Sequence, residues 1–281
     1  MNEINTYLLL VGSLLLNPSP TMAQTMTDHE NIFSLRHTCV GIPEGDKLRI
    51  YALRKGDWQL TDSIALPKDY QALDGNIRKV YMLMENQMVF HGFYGERKDT
   101  LLFNDSIQMN GVSHWIRSPH STEKDIWIYE DGRITVYAKD GETWLKMDMR
   151  ELISRMLNSE EVPPLVKEDG TTPFKKLYFF ENEAGDFTVT VYDDKMTFYR
   201  YEFPAVYREA LQIDFEEKYG YSLPSPKEME FILPDQSITA FIYDRHMVAV
   251  VFPEMIRYYT YDFAQKKWKQ NSDVPDLAYQ S

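Results

Sequence analysis

The densest set of chemistry-bearing side chains in the sequence lies in residues 110–125, which read NGVSHWIRSPHSTEKD. This stretch contains His114, Trp115, Arg117 and His120. Tryptophan and arginine are among the residue types most enriched in the side chains that dominate protein–protein binding. We therefore interpret the stretch as a loop that binds a ligand or a partner. The alternative is that Trp115 packs between structural units while the polar side chains face water.

A second aromatic set lies in residues 255–270, which read MIRYYTYDFAQKKWKQ. Alternation along a strand would place Tyr259 and Tyr261 on one face, with Tyr258 and Thr260 on the other. Tyr259 and Tyr261 are therefore further candidates for partner or ligand binding. The alternative is a final strand pair that completes a repeated array.

Signatures of enzymes and metal sites are missing from the sequence. It has no G-x-S-x-G elbow, no H-E-x-x-H helix and no phosphate-binding loop, and its six histidines never show the i, i+4 spacing of a zinc site. We therefore predict no catalytic residues, no metal site and no cofactor. The alternative is a glycoside hydrolase, which needs two carboxyl groups roughly 5–10 Å apart. Its candidate acids near strand ends are Asp125, Asp186, Asp193, Asp194 and Asp244.

Short aromatic and β-branched runs must position these residues. In the stretch 176–203, Phe, Tyr and Val alternate with period two over three runs, which predicts three strands separated by turns at Gly185-Asp186 and Asp193-Asp194. Other Asp-Gly and Gly-Asp pairs, such as Asp74-Gly75 and Gly56-Asp57, also predict tight hairpin turns.

The pattern of charged start, strand, turn and second strand recurs along the chain. Copies begin near Asn31, Arg78, Lys124, Lys175 and Lys227. A period of about 50 residues with several strands per unit is typical of propeller blades. We therefore predict a mainly β fold of about five repeated antiparallel β-meander units, β-propeller-like, with no fixed blade signature.

Two segments break this β pattern. Residues 148–158 have a helical apolar face, and residues 204–220 begin with Pro204 and end with Gly220, as helices often do. The two segments follow the third and fourth units, so we predict two short inserted helices. The alternatives are stacked βββα modules or two α+β domains. The proline-rich segment 158–174 is where such a division would fall.

The first residues predict export. Tyr7 to Leu16 form an apolar run, followed by prolines and by Thr21 and Ala23 at the positions that signal peptidase requires. We predict a signal peptide over 1–23 and one domain over 24–281, located in the periplasm or secreted. Because no Lys or Arg precedes the run and Glu3 is acidic, a buried N-terminal helix or strand is the alternative.

Charge and cysteine content narrow the choice of partners. A net charge of −13 disfavours nucleic acid, since the surface would repel a phosphate backbone. No later apolar run is long enough to insert in a membrane. The single cysteine, Cys39, excludes an intramolecular disulfide.

We therefore expect a non-catalytic binding protein that engages another protein. An inhibitor or immunity protein against an envelope-targeted toxin would fit the acidic charge, because an acidic surface speeds association with a basic partner. The alternatives are a carbohydrate-binding or glycoside-hydrolase-type five-bladed propeller and a structural component of the envelope.

Overall fold

The computed structural model describes residues 28–35, 38–75, 79–84, 87–93, 101–108, 112–117, 125–130, 133–140, 143–148, 174–182, 184–200, 205–244 and 247–279. The predicted signal peptide (1–23) and linker (158–174, apart from Phe174) lie outside these ranges. Of the predicted helix 148–158, only Asp148 is described, and it ends a strand. Within the described residues, no helix is long and apolar enough to cross a membrane.

The first sheet is a four-stranded antiparallel meander that follows a short 3-10 helix, Asp28–Asn31. Its strands are β1 (Phe33–Leu35), β2 (Cys39–Glu44), β3 (Lys47–Arg54) and β4 (Asp57–Ala65). Lys55 and Gly56 connect β3 to β4, and both have positive φ (53° and 85°). Positive φ at these two residues is what a tight hairpin turn requires, and the Gly56-Asp57 pair predicts such a turn here.

The second sheet has the order β5 (Ala72–Gly75), β6 (Lys79–Leu83), β7 (Gln87–Phe93) and β8 (Leu101–Gln108). Here the Asp74-Gly75 pair, predicted to form a turn, lies in a buried strand instead. The reason is a side chain of the first sheet: a Cβ on Gly75 would lie 2.6 Å from the ring of Phe33. Glycine at 75 leaves room for that ring between the two sheets.

The third sheet has eight strands and consists of two antiparallel meanders. The first comprises β9 (Val112–Arg117), β10 (Asp125–Glu130), β11 (Arg133–Asp140) and β12 (Thr143–Asp148). The second comprises β13 (Lys176–Asn182), β14 (Gly185–Val191), β15 (Lys195–Arg200) and β16 (Phe231–Ile232). A short parallel pairing of Leu177 with Ile116 and Tyr178 with Arg117 joins them.

The stretch 176–203 therefore forms the three predicted strands β13, β14 and β15, with continuous antiparallel register. After β15 comes helix α1 (Ala205–Tyr219), which ends at Gly220 with φ +75°. A glycine in this left-handed conformation is a common helix terminator. Helix α1 corresponds to the predicted helix 204–220.

The fourth sheet comprises β17 (Thr239–Asp244), β18 (Met247–Val251), β19 (Met255–Asp262) and β20 (Lys267–Gln270), with β21 (Leu277–Ala278) also on β19. Both β20 and β21 pair antiparallel with β19, and residues 271–276 leave the sheet between them. We call residues 271–276 the seam bulge, because they lie where the last sheet meets the first. There the Pro275 carbonyl accepts a hydrogen bond of 2.8 Å from Trp58 Nε1 on the first sheet.

The sheets have a propeller-like arrangement in which the first strands of the meanders lie side by side. These strands contact one another in the order β5, β1, β17, β13, β9. The sequence predicts five separate units, whereas hydrogen bonding divides the described strands into four sheets. The difference arises because β9 and β13, the first strands of two meanders, are close enough to pair directly.

In the described part of the chain, buried side chains form two large clusters. The larger cluster fills the space among β13–β15, β17–β19 and their neighbours, and includes Tyr178, Phe187 and Phe241. The smaller lies between the first and second sheets and includes Phe33, Leu35 and Cys39. Burial of apolar surface at these junctions is the main stabilising contribution to the arrangement.

Candidate functional site

The stretch 110–125, expected to be a loop, contains a strand. His114, Trp115 and Arg117 belong to β9, an interior strand of the eight-stranded sheet between β10 and β13. Only their backbone is described, and His120 lies outside the described residues. The structure therefore places the backbone of three of the four residues on one strand.

The acids considered for a hydrolase are found at different places. Asp193 and Asp194 form the turn between β14 and β15, where Asp193 pairs with Lys175 at 3.0 Å. Asp244 ends β17, and Asp125 and Asp186 are described through their backbone in β10 and β14. Among the described residues, no group of three or more His, Cys, Asp or Glu side chains is arranged to hold a metal ion.

Tyr259 and Tyr261 lie on strand β19 and join an aromatic cluster. Tyr259 packs against Phe231 with ring centroids 5.1 Å apart, and Tyr261 packs edge-on against Trp268 at 5.3 Å. Tyr258 points to the opposite face and stacks on Trp58 at 5.6 Å. The aromatic residues of β19 therefore serve two different interfaces.

The polar groups of two rings in this cluster form hydrogen bonds with the backbone of the segment that precedes β16. The Tyr261 hydroxyl donates to the Glu228 carbonyl at 3.2 Å, and Trp268 Nε1 donates to the Met229 carbonyl at 2.8 Å. Burial, with the nearby charge of Glu228, raises the pKa of Tyr261 to about 12. Tyr261 is only 5 % exposed, and its hydroxyl group anchors this segment through the bond to Glu228.

Side-chain hydrogen bonds fix the same segment from outside. Glu228 accepts from the Ser225 backbone nitrogen at 2.7 Å, and its other oxygen accepts from Lys266 at 3.0 Å. Lys266 also contacts the Ser222 hydroxyl at 3.3 Å. The bond from the Ser225 backbone and the ammonium of Lys266 lower the pKa of Glu228. The chain between helix α1 and β16 is thus tied to the β19–β20 turn.

Three partly exposed rings lie beside this tied segment, and we call them the aromatic row: Tyr219, Tyr221 and Phe263. The Tyr219 ring lies 6.0 Å from that of Tyr221 and 5.9 Å from that of Phe263, with interplanar angles of 26° and 29°. Phe215, 2 % exposed, contacts all three rings at 4.7–6.0 Å. The Tyr219 ring therefore stacks with both of its neighbours, and all three rings rest on the buried Phe215.

Charges of both signs surround the aromatic row. Helix α1 exposes the carboxylates of Asp214, Glu216 and Glu217, and the Lys218 ammonium lies 4.8 Å from the centre of the Tyr219 ring. On the strand side, Lys269 pairs with Asp262 as Lys266 does with Glu228. The helix side of the row is therefore the more acidic side.

Sequence reasoning did not identify the aromatic row, although it predicted the helix that carries Tyr219 and the buried base Phe215. Phe215 and Tyr219 are one helical turn apart, which is a usable signal for a shared face. Phe263 is more than forty residues further along the chain, and only the packing of the β19–β20 turn against Phe215 and Tyr219 brings it there. Chemically, the row can bind apolar or cationic groups.

Comparisons with known proteins establish no family. No protein family model and no curated protein sequence matches the chain. Solved structures of Hsv2 are similar: one from Kluyveromyces lactis with complete loop 6CD has a TM-score of 0.47 and 9 % identity, covering 86 % of this chain and 97 % of that one. Hsv2 from Kluyveromyces marxianus has a TM-score of 0.46 and 8 % identity, covering 86 % of this chain and 96 % of that one. At these values the likeness transfers neither function nor any residue's role.

Proposed function

We propose that the protein is a non-catalytic binding protein that engages another protein through the aromatic row and the exposed side of helix α1. One observation carries the proposal: Tyr219, Tyr221 and Phe263 are partly exposed while Phe215 and the tied segment hold them in place. Rigid aromatic side chains lose little conformational entropy on binding, and tyrosine is enriched among binding hot spots.

Carbohydrate binding is the second candidate, supported by the partly exposed Tyr219 ring, which lies at 26° and 29° to the rings of Tyr221 and Phe263. Such a row offers stacking surface to a sugar as well as to a protein side chain. Protein binding is favoured because exposed carboxylates border the row on helix α1, and electrostatic complementarity contributes specificity and association rate at protein interfaces.

The wider setting is part of the same proposal. We infer a closed propeller of five meanders, in which the two halves of the eight-stranded sheet act as separate blades. A signal peptide over 1–23 would deliver the chain to the periplasm or the exterior, where it would act as an inhibitor or immunity protein. The intact mass of the protein purified from its source checks the export step, because cleavage after Ala23 leaves a chain that starts at Gln24.

Position-specific photocrosslinking tests the binding surface. The photoreactive residue p-benzoylphenylalanine replaces Tyr221, and the protein is irradiated in an envelope extract of its source. Matched controls carry it at Leu60 or Ile232, which are 48 % and 63 % exposed and lie outside the row. We expect one defined protein adduct at position 221 that is absent from both controls and is lost when Phe263 is also changed to Ser.

Two results would overturn the proposal. Equal adducts at 221, 60 and 232 would show that the row has no special role. Binding on a glycan array that is lost with Tyr221→Ser, without any protein adduct, would replace protein binding with carbohydrate binding. Circular dichroism of each variant checks that the fold is retained.

A further inference from the structure

The aromatic row already receives a positive charge from its own chain. Lys218 Nζ lies 4.8 Å from the centre of the Tyr219 ring, inside the distance of about 6 Å at which a cation is attracted to a ring face. Lys218 is exposed, so its ammonium group is held there without burial. The ring face of Tyr219 is therefore a place where an ammonium or guanidinium group is favourable.

The helix that carries Tyr219 adds negative charge next to this ring face. Helix α1 contains four acidic residues, Glu209, Asp214, Glu216 and Glu217, against two basic ones, Arg208 and Lys218. Asp214 is exposed and lies four residues before Lys218, on the same side of the helix. Glu216 lies three residues before Tyr219 and accepts a hydrogen bond from the Gln212 amide, which leaves its charge in place. A second cation approaching from the helix side would meet a negative potential.

The strand side of the row is less suited to a cation. Lys266 and Lys269 are each neutralised by a carboxylate, Glu228 and Asp262 respectively. Lys267 is exposed on β20 and adds positive charge on that side. An incoming positive group would therefore be directed toward helix α1 and away from the β19–β20 turn.

We propose that the partner presents a lysine or arginine side chain to the aromatic row, displacing Lys218 from the Tyr219 ring and lying between the row and the carboxylates of helix α1. This inference rests on the proposed function and specifies its partner: a polypeptide segment with a basic side chain as the anchor. The bound cation would be attracted both to the face of the Tyr219 ring and to the carboxylates of helix α1.

A pair of small probes tests the inference by NMR titration of the mature protein. One is the peptide acetyl-Gly-Arg-Gly-amide, and the other replaces arginine by citrulline, which has the same length and no charge. We expect saturable shifts of the Tyr219 and Tyr221 signals with the arginine peptide only. They should weaken when NaCl is raised from about 50 to about 500 mM, because salt screens exposed charges.

Three variants separate the contributions. Lys218→Gln removes the competing cation and should tighten arginine-peptide binding about two- to fivefold, as expected for release of one exposed cation–ring contact. Asp214→Lys should weaken it, because Asp214 is one helical turn before Lys218 and shares its side of the helix. Asp235→Lys, which changes an exposed acid on the β16–β17 connection, is the matched control and should have no effect.

The outcomes also distinguish this inference from the proposed function. Equal binding of both peptides, or loosened binding in Lys218→Gln, would overturn the cationic anchor. A protein adduct at position 221 that survives Asp214→Lys and high salt would retain protein binding and overturn the anchor. Arginine-peptide binding at Tyr219 without any protein adduct would support the cation site and count against the proposed protein partner.

Discussion

Two buried tyrosines near the seam differ in the environment of their hydroxyl groups. Tyr258 is fully buried between Trp58 and Tyr243, and among the residues that the structure describes its hydroxyl has no hydrogen-bond partner. The Tyr279 hydroxyl donates to the Phe252 carbonyl at 2.5 Å. The same substitution, Tyr to Phe, should therefore have opposite consequences at the two positions.

We predict that Tyr279→Phe lowers the free energy of unfolding by about 1 kcal/mol, the usual net value of a hydrogen bond, and leaves the Phe252 carbonyl with one acceptor bond fewer. Tyr258→Phe should cost nothing or stabilise the protein, since it removes a buried polar atom that gains no bond on folding. Urea unfolding at pH 7 measures both. A loss of about 1 kcal/mol in Tyr258→Phe would reveal a partner for that hydroxyl.

The same tyrosines make stability depend on alkaline pH. Burial, followed by the nearby Tyr243 and Asp276, raises the pKa of Tyr258 well above its ordinary value, and burial also raises that of Tyr279. In the unfolded chain tyrosine ionises near pH 10. The folded state keeps its proton, so the stability is complete below about pH 10 and is lost as pH rises toward the folded pKa. Tyr258→Phe should lose stability less steeply than the parent above that pH.

At the scale of elements, the seam bulge connects the last sheet to the first. Arg257 donates twice to Asp276 at 3.0 Å, and the Asn271 side chain accepts from the backbone of Asp273 and Val274 at 2.7 and 3.2 Å. These contacts present the Pro275 carbonyl to Trp58 Nε1. The seam bulge therefore has a defined conformation that hydrogen bonds hold in place, and it is more than a connection between β20 and β21.

A matched pair of tryptophan variants tests this role. Trp58→Phe keeps an aromatic ring on Tyr258 but removes the bond to Pro275, so amide exchange should quicken in residues 271–278. Trp268→Phe removes an equivalent bond to Met229 and should quicken exchange in 225–230 instead. Each should cost about 1 kcal/mol. Hydrogen-exchange mass spectrometry reads the two segments separately, and identical patterns in both variants would contradict a specific role for the bulge.

The elements show what local sequence can predict. Period-two alternation identified β13 to β15, and Pro204 with Gly220 bracketed helix α1, because both signals are local. Strand β5 was missed because Gly75 lies opposite Phe33 of another sheet. Strand β9 was read as a loop because one of its partners, β13, lies some sixty residues away. The aromatic row likewise depends on packing between distant segments.

At the scale of the molecule, contacts join the beginning of the described chain to its second half. Lys176 Nζ donates to the Ile32 carbonyl at 3.1 Å, Lys175 pairs with Glu30 at 3.2 Å, and the Ser34 hydroxyl donates to the Ile242 carbonyl at 2.7 Å. The parallel pairing of β9 with β13 adds a second junction between the halves. A division into two independent domains near 158–174 would have to break both junctions.

We therefore predict that the chain behaves as one domain even when it is cut between its halves. A protease recognition site inserted between residues 158 and 174 should allow complete cleavage while the two fragments stay together in size-exclusion chromatography. Thermal unfolding of the cut protein should remain a single transition at a lower temperature, because cleavage raises the entropy of the unfolded state and not the number of folding units. Separation of the fragments without denaturant, or two resolved transitions, would establish two domains. Adding Ser34→Ala to the cut protein should promote fragment release, since the Ser34–Ile242 bond then no longer joins the first strand to the last sheet.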